Sequence, residues 1–129
     1  MPQDFSLRIA RAKQHLQKSK INPSNKNYIN NFIDQLSGEG IKPIRQLKYL
    51  YSLKTLSELM NKEFSQCSKE DIVALLAKIN SSPYQDWTKR DFKVVLKRFY
   101  RWLREQEGSI AMENQLCQNI GVTLYNVDM

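Results

Sequence analysis

Residues 88–104, with the sequence TKRDFKVVLKRFYRWLR, are the most informative stretch of the chain. At 100° per residue, its large apolar side chains fall on one half of a helical wheel and its cations fall on the other half. The apolar residues are Phe92, Val95, Leu96, Phe99, Trp102 and Leu103. The cations are Arg90, Lys93, Lys97, Arg101 and Arg104. This spacing predicts an amphipathic helix with one packed face and one strongly basic face.

The same spacing of apolar residues continues through the segments before this helix. They are separated by breaks at residues 22–24, 38–40 and 81–83, and a further break follows at 108–109. We predict four earlier helices, which cover about residues 4–19, 24–38, 43–60 and 68–80. No alternating run is long enough to propose a strand. The sequence therefore predicts an all-α fold, a compact bundle of four to five helices.

Several residues mark the predicted helix ends. We expect Ser24 to cap the second helix and Gly38 or Gly40 to end it, because glycine adopts the left-handed backbone readily. Ser68 is the predicted N-cap of the fourth helix. Thr88 is the predicted N-cap of the fifth helix, with Asp91 completing a capping box.

The third predicted helix is apolar over much of its circumference, as expected for a helix at the centre of a bundle. Its polar residues form a narrow strip of Arg45, Lys48, Ser52 and Thr55. An α-helix fits the major groove of DNA, where arginine and lysine reach guanine and where serine and tyrosine contact phosphates or base edges. The candidates for such contacts on this helix are Arg45, Lys48, Tyr49 and Ser52.

The charge of the chain is unevenly distributed. The formal net charge is +7 and the pI is about 9.5. Residues 1–40 carry +3, residues 41–104 carry +8 and residues 105–129 carry −4. From Lys89 to Arg104, seven basic residues accompany one acidic residue. This pattern favours a polyanionic partner, although a basic stripe is also the ordinary solvated face of an amphipathic helix, and it suits an acidic protein or an anionic membrane.

Other functional classes find little support in the residue pattern. No stretch approaches the length of a membrane span and the first residues carry no leader pattern, so we expect a cytoplasmic protein with no membrane contact. Cys67 and Cys117 match no metal spacing and are expected to be free thiols. We expect no metal and no cofactor, since no paired acid and base groups, activated nucleophile or phosphate loop is visible. His15 shares the basic side of the first helix, and we expect it to be exposed.

Two blocks of sequence resemble a known family. One comprises Gly40-Ile41-Lys42, Arg45, Lys48-Tyr49-Leu50 and the start Ser68-Lys69-Glu70-Asp71-Ile72. The other comprises Trp87-Thr88-Lys89-Arg90-Asp91-Phe92-Lys93 and Leu96-Lys97-Arg98-Phe99-Tyr100-Arg101-Trp102-Leu103. Together they resemble the N-terminal core-binding, or SAM-like, domain of tyrosine recombinases of the phage-integrase type. The resemblance covers about residues 24–104.

The resemblance implies a bundle that grips one side of duplex DNA during DNA integration or recombination, with the third and fifth helices presented to the major groove. The implied contact residues are Lys42, Arg45, Lys48, Tyr49, Ser52, Thr88, Lys89, Arg90, Lys93, Lys97, Arg101 and Arg104. The family's catalytic Arg, Lys, His-x-x-Arg and Tyr belong to a further domain that is not present in these residues. We therefore expect DNA binding without strand cleavage.

The predicted organisation is an N-terminal helix over residues 1–22, a DNA-binding helical domain over 23–105, and a linker and weakly ordered tail over 106–129. A short helix from about Ile110 to Cys117 is included in that tail. The alternative function is a helical interaction module that binds an acidic protein or a neighbouring recombinase subunit. A catalytic recombinase domain is a further expected partner.

Overall fold

The computed structural model describes residues 5–106, and every regular element within that range is helical. The elements are α1 (Phe5–Lys18), α2 (Pro23–Gly38), α3 (Pro43–Met60), a 3₁₀ turn (Phe64–Gln66), α4 (Lys69–Ser81) and α5 (Asp86–Gln106). The predicted all-α class is therefore confirmed for this part of the chain. The predicted tail helix from Ile110 to Cys117 lies outside the described residues.

The helices form two compact units, and the chain passes from one to the other at Asn61. In the N-terminal unit, both α1 and α2 pack against α3. The side chains of α2 and α3 supply most of its core, as the three-and-four spacing of their apolar residues predicts. The buried apolar residues of this unit are Ala12, Leu16, Ile21, Ile29, Phe32, Ile33, Leu36, Leu47, Tyr49, Leu50, Leu53 and Leu56.

A buried polar pair joins the beginning of α2 to the end of α3. The Asn25 Nδ2 donates a hydrogen bond of 2.9 Å to the Ser57 Oγ, and both side chains are almost fully buried. Unpaired polar groups are costly in such a place, whereas a satisfied pair holds the two helices in one register.

The beginning of α2 differs from the prediction. Asn22, not Ser24, is the N-cap, and its Oδ1 accepts a hydrogen bond of 2.8 Å from the backbone N–H of Ser24. Pro23 occupies the first helical position, where its fixed φ suits the helix and its missing N–H leaves no unpaired donor. Ser24 was a plausible cap by residue type, but the proline before it already belongs to the helix.

The end of α2 follows the glycine prediction. Gly40 has a φ of +79°, the left-handed conformation that a helix end requires. Its N–H bonds to the Ser37 carbonyl at 3.1 Å, and the Ile41 N–H bonds to the Leu36 carbonyl at 3.0 Å. These two bonds form a Schellman motif, which satisfies carbonyls that α2 leaves unpaired.

We expect Gly40→Ala to lower the free energy of unfolding by about 1 kcal/mol, because alanine is strained at this backbone conformation. Gly38→Ala is the matched control. Gly38 lies inside the helix with open space around it, so alanine there is expected to be neutral or stabilising. Urea denaturation followed by circular dichroism measures both variants. Equal effects of the two substitutions would contradict the assignment.

The C-terminal unit is built on α5, against which α4 packs. The segment before α4 inserts Phe64 and Cys67 into the core, and both are fully buried. The Phe64 ring lies 4.7 Å from that of Phe99 and 6.2 Å from that of Tyr100, measured between centroids. The Tyr100 hydroxyl donates a hydrogen bond of 2.9 Å to the Phe64 carbonyl. An aromatic cluster with its one phenol satisfied therefore anchors the inner face of α5.

The predicted cap of α4 is present. The Ser68 Oγ accepts a hydrogen bond of 3.2 Å from the Asp71 backbone N–H, and the Asp71 carboxylate accepts one of 2.8 Å from the Ser68 backbone N–H. Lys62 Nζ also lies 2.7 Å from this carboxylate. The Lys62 ammonium and the Ser68 N–H lower the pKa of Asp71 from 3.8 to about 2. The capping box and the ion pair therefore share one carboxylate.

Asp71→Asn is expected to lower the Tm at neutral pH, and the difference from the wild-type chain is expected to shrink in acid. The pKa of Asp71 is lower in the folded chain than in the unfolded chain. Its stabilisation is therefore complete above the unfolded pKa of about 4 and disappears as the pH falls towards 2. Thermal unfolding at pH values of about 6 and 2.5 measures this. Glu70→Gln, in the same helical turn, is the control, and a difference for Asp71→Asn that does not change with pH would contradict the assignment.

Candidate nucleic-acid interface

The two faces of α5 separate as the sequence predicts. The buried face consists of Phe92, Val95, Leu96, Phe99, Tyr100, Trp102 and Leu103, which includes all six of the predicted apolar residues. Phe99 contacts Trp102 with ring centroids 5.8 Å apart, and Tyr84 packs edge-on against Phe92 at 5.2 Å. Because these contacts cover one side of the helix, the rotation of α5 about its axis is fixed within the C-terminal unit.

The opposite side carries what we call the cationic face of α5, defined by Arg90, Lys93, Lys97, Arg101 and Arg104. Arg90 and Arg101 are exposed, and the other three are half-buried. Their spacing corresponds to about 21 Å along the helix at 1.5 Å per residue. Half-buried lysines and arginines commonly lay their methylene stems on apolar surface and keep the charge in water. The five cations therefore form one line along α5.

Part of this face has no partner among residues 5–106. Within that range, the side chains of Arg90 and Lys93 form neither an ion pair nor a hydrogen bond. Asp91 is the one acidic residue between Lys89 and Arg104. A line of like charge with so few acids is unfavourable by itself, and a polyanion would relieve the repulsion.

Lys89 contributes to the fold of the C-terminal unit, and Thr88 lies within the first turn of α5. The Lys89 Nζ donates a hydrogen bond of 2.9 Å to the carbonyl of Asn80, in the last turn of α4, where a cation is favourable. Thr88 is not the N-cap that the sequence predicts, because α5 begins two residues earlier at Asp86. The carboxylate of Asp86 is favourable at the positive, N-terminal end of the helix dipole. It therefore favours a helix that begins before Thr88.

The candidates on α3 divide into exposed and buried residues. Lys42, Arg45 and Lys48 are exposed. Tyr49 is 4% exposed and Ser52 is 8% exposed, so neither side chain is accessible for the DNA contact that the sequence predicts, and Ser52 does not belong to an exposed polar strip. They lie on the side of α3 that contributes to the core of the N-terminal unit.

Tyr49 has a structural role beside one of the exposed cations. Its ring packs edge-on against Phe32, with centroids 5.9 Å apart. The Arg45 guanidinium lies 6.0 Å from the same ring, and its Nη2 is 3.5 Å from the Tyr49 hydroxyl. This contact directs Arg45 along the helix, and a cation over a tyrosine ring is mildly stabilised.

The exposed side of α3 includes two large residues with apolar side chains. Ile44 is 56% exposed and Tyr51 is 51% exposed. With Lys48 between them, they follow helical spacing on one side. The apolar residues of α3 are distributed around its whole circumference. Their spacing therefore did not determine which of them would be buried. Two tyrosines two positions apart necessarily differ in direction, and the structure exposes Tyr51 instead of Tyr49.

The first helix bears a smaller basic side. Arg8, Arg11, His15 and Lys18 are all exposed, which confirms the expectation for His15. Lys13 is committed to an ion pair with Asp34 at 2.8 Å, between α1 and α2.

The described residues offer little for catalysis or metal binding. Cys67 is a buried thiol that forms no disulfide bond within residues 5–106, and its Sγ donates to the Glu63 carbonyl at 3.2 Å. Burial raises the pKa of this thiol to about 11, so it remains protonated and unreactive at neutral pH. Within residues 5–106, no three His, Cys, Asp or Glu side chains are grouped closely enough to hold a metal ion. None of the helices in the same range combines the length and the apolar character needed to span a bilayer.

Comparison with protein-family models, with curated proteins and with solved structures gives no match. The resemblance to recombinase core-binding domains therefore stays a prediction. The observations that bear on function are therefore the charge and the geometry of α3 and α5.

Proposed function

We propose that this chain is a cytoplasmic, noncatalytic DNA-binding domain that contacts double-stranded DNA through the cationic face of α5. The observation that carries the proposal is the line of five cations opposite a fully packed aromatic face. A packed inner face makes the line rigid. A basic helix intended for a membrane would instead need its large apolar side chains exposed to lipid.

The spacing of the cations suits a nucleic-acid backbone. Duplex DNA carries one negative charge per about 1.7 Å of axis, so a helix face of about 21 Å can contact several phosphates. Each neutralised phosphate releases condensed counterions, and this release drives association. Arginines such as Arg90 and Arg101 can in addition form paired hydrogen bonds to guanine in the major groove. We expect affinity to depend mainly on phosphates, and specificity to be modest.

The exposed cations of α3 are proposed as a second DNA contact. Lys42, Arg45 and Lys48 occupy its first part, with Tyr51 on the same exposed side as Lys48. Tyrosine hydroxyls hydrogen-bond phosphates, so Tyr51 takes the role for which the buried Tyr49 is unsuited. The resemblance to recombinases suggests that such a domain acts in DNA integration or recombination together with a catalytic partner.

The rival function is binding to an acidic protein or to a neighbouring recombinase subunit. Fluorescence anisotropy with a labelled duplex of about 20 base pairs at about 50 mM salt separates the two functions. We expect saturable binding that unlabelled duplex displaces and that polyglutamate of equal charge displaces far less well. Equal displacement by polyglutamate would favour the acidic-protein function, and absence of binding would contradict the proposal.

A further inference from the structure

An exposed tryptophan lies at the beginning of α5. Trp87 is 68% exposed, the largest value among the exposed large hydrophobic residues of the described chain. Trp102, on the same helix, is 9% exposed and packs against Phe99. Tryptophan buries a large area when it has a partner, so an indole left in water is an unusual use of this side chain.

The surroundings of Trp87 combine apolar surface with positive charge. Along α5, Arg90 and Val94 follow Trp87 at helical spacing, and both are exposed. Tyr84, three residues before Trp87, is 41% exposed and is held edge-on against Phe92. The indole therefore stands on a helix whose inner face is packed, with a cation one helical turn away at Arg90.

We infer that Trp87 is a stacking platform for an unpaired nucleobase where duplex DNA adjoins a single strand. This inference rests on the proposed binding of DNA by the cationic face of α5. An aromatic ring next to cations is the combination that binds single strands, since bases stack on the ring while phosphates meet the charges. Within an intact duplex the base faces are covered by neighbouring pairs. The occupant of Trp87 is consequently a base at an overhang, gap or opened end.

The charge of the neighbourhood decides between the occupants that an exposed indole could accept. A second copy of this chain would bring the same positive helix against itself, which is unfavourable. A nucleic-acid strand supplies both a flat aromatic surface and negative charge. One strand thus satisfies Trp87 and Arg90 together.

The test compares two DNA probes with the full chain. One is a blunt duplex, and the other is the same duplex with a single-stranded thymine overhang of about five nucleotides. We expect the overhang probe to bind about 10-fold more tightly and to quench tryptophan fluorescence. Trp87→Ala should remove that preference and leave the affinity for the blunt duplex unchanged within about 2-fold, since stacking on one base accounts for the difference.

Two further variants keep the test specific. Trp87→Phe retains a smaller aromatic ring, so part of the preference for the overhang should remain. The emission of this variant comes from the buried Trp102, and subtracting it from the emission of the wild-type chain gives the signal of Trp87. Val94→Ala truncates an exposed apolar side chain on the same helix and should retain the full preference.

The possible results separate the inference from the proposed function. Salt-dependent binding of both probes with equal affinity and no quenching would overturn the role of Trp87 and leave duplex binding intact. Quenching that depends on protein concentration without DNA would identify a second copy as the occupant and would also overturn the inference. If neither probe binds, both the role of Trp87 and the proposed function are contradicted.

Discussion

Arg90→Glu combined with Lys93→Glu is expected to weaken binding of duplex DNA by at least about 100-fold at about 50 mM salt. Both cations belong to the cationic face of α5, and neither has a partner among residues 5–106. Charge-assisted hydrogen bonds are each worth about 1.5–3 kcal/mol, and about 1.4 kcal/mol corresponds to a factor of ten in affinity. Reversal of the two charges adds repulsion from the phosphates to the loss of two contacts.

The double variant is expected to remain folded. Glutamate at position 93 precedes Lys97 by four residues, an arrangement that stabilises a helix slightly. Lys20→Glu combined with Lys69→Glu is the matched control, because it changes the net charge equally at two exposed positions outside α5. We expect the affinity of this control for duplex DNA to fall by no more than about 3-fold, because only the overall charge of the chain is changed. A loss of affinity as large as that of the α5 variant would contradict a localised surface.

Phe64→Ala is expected to lower the free energy of unfolding by about 3–5 kcal/mol. The Phe64 ring is fully buried and contacts both Phe99 and Tyr100. Its removal leaves a cavity beneath the inner face of α5, and the aromatic contacts with α5 are lost as well. Small domains are stable by only about 5–15 kcal/mol, so this loss is a large fraction of the total.

Two variants refine this prediction. Phe64→Leu keeps most of the volume and should cost less. Tyr100→Phe leaves the ring in place but removes the hydroxyl that donates to the Phe64 carbonyl. We expect a loss of about 0.5–1.5 kcal/mol, because this carbonyl still accepts the Cys67 backbone N–H at 3.4 Å. Urea denaturation with the emission of the buried Trp102 as the probe reports on this unit. A loss under about 1 kcal/mol for Phe64→Ala would show that the cluster does not support α5.

The sequence determined most of the architecture because local signals agreed with packing. The three-and-four spacing placed the helices, and Ser68 and Gly40 marked two of their ends correctly. The faces of α5 were predictable because its large apolar residues from Phe92 to Leu103 and its five cations lie on opposite sides of the helix. Errors arose where several residues of similar propensity compete, as at Asn22, Pro23 and Ser24, where the first of the three is the cap.

The site on α3 was less predictable for a physical reason. A helix with apolar residues on all sides has no preferred buried face until its neighbours are known. The packing of α1 and α2 against α3 buries Tyr49 and exposes Tyr51, and it also exposes Ile44. The exposure of Trp87 could not be predicted from the sequence either, because an aromatic residue at the start of a helix is normally expected to pack against other side chains.

The salt dependence of binding shows whether the cationic face of α5 binds DNA phosphates. Anisotropy titrations of the intact chain with a blunt duplex at several salt concentrations give the slope of log affinity against log salt. Five phosphate contacts predict a slope near −4 to −5, and Arg90→Glu with Lys93→Glu should reduce its magnitude by about 2. A wild-type slope near zero, or a slope that the α5 variant leaves unchanged, would contradict the claim.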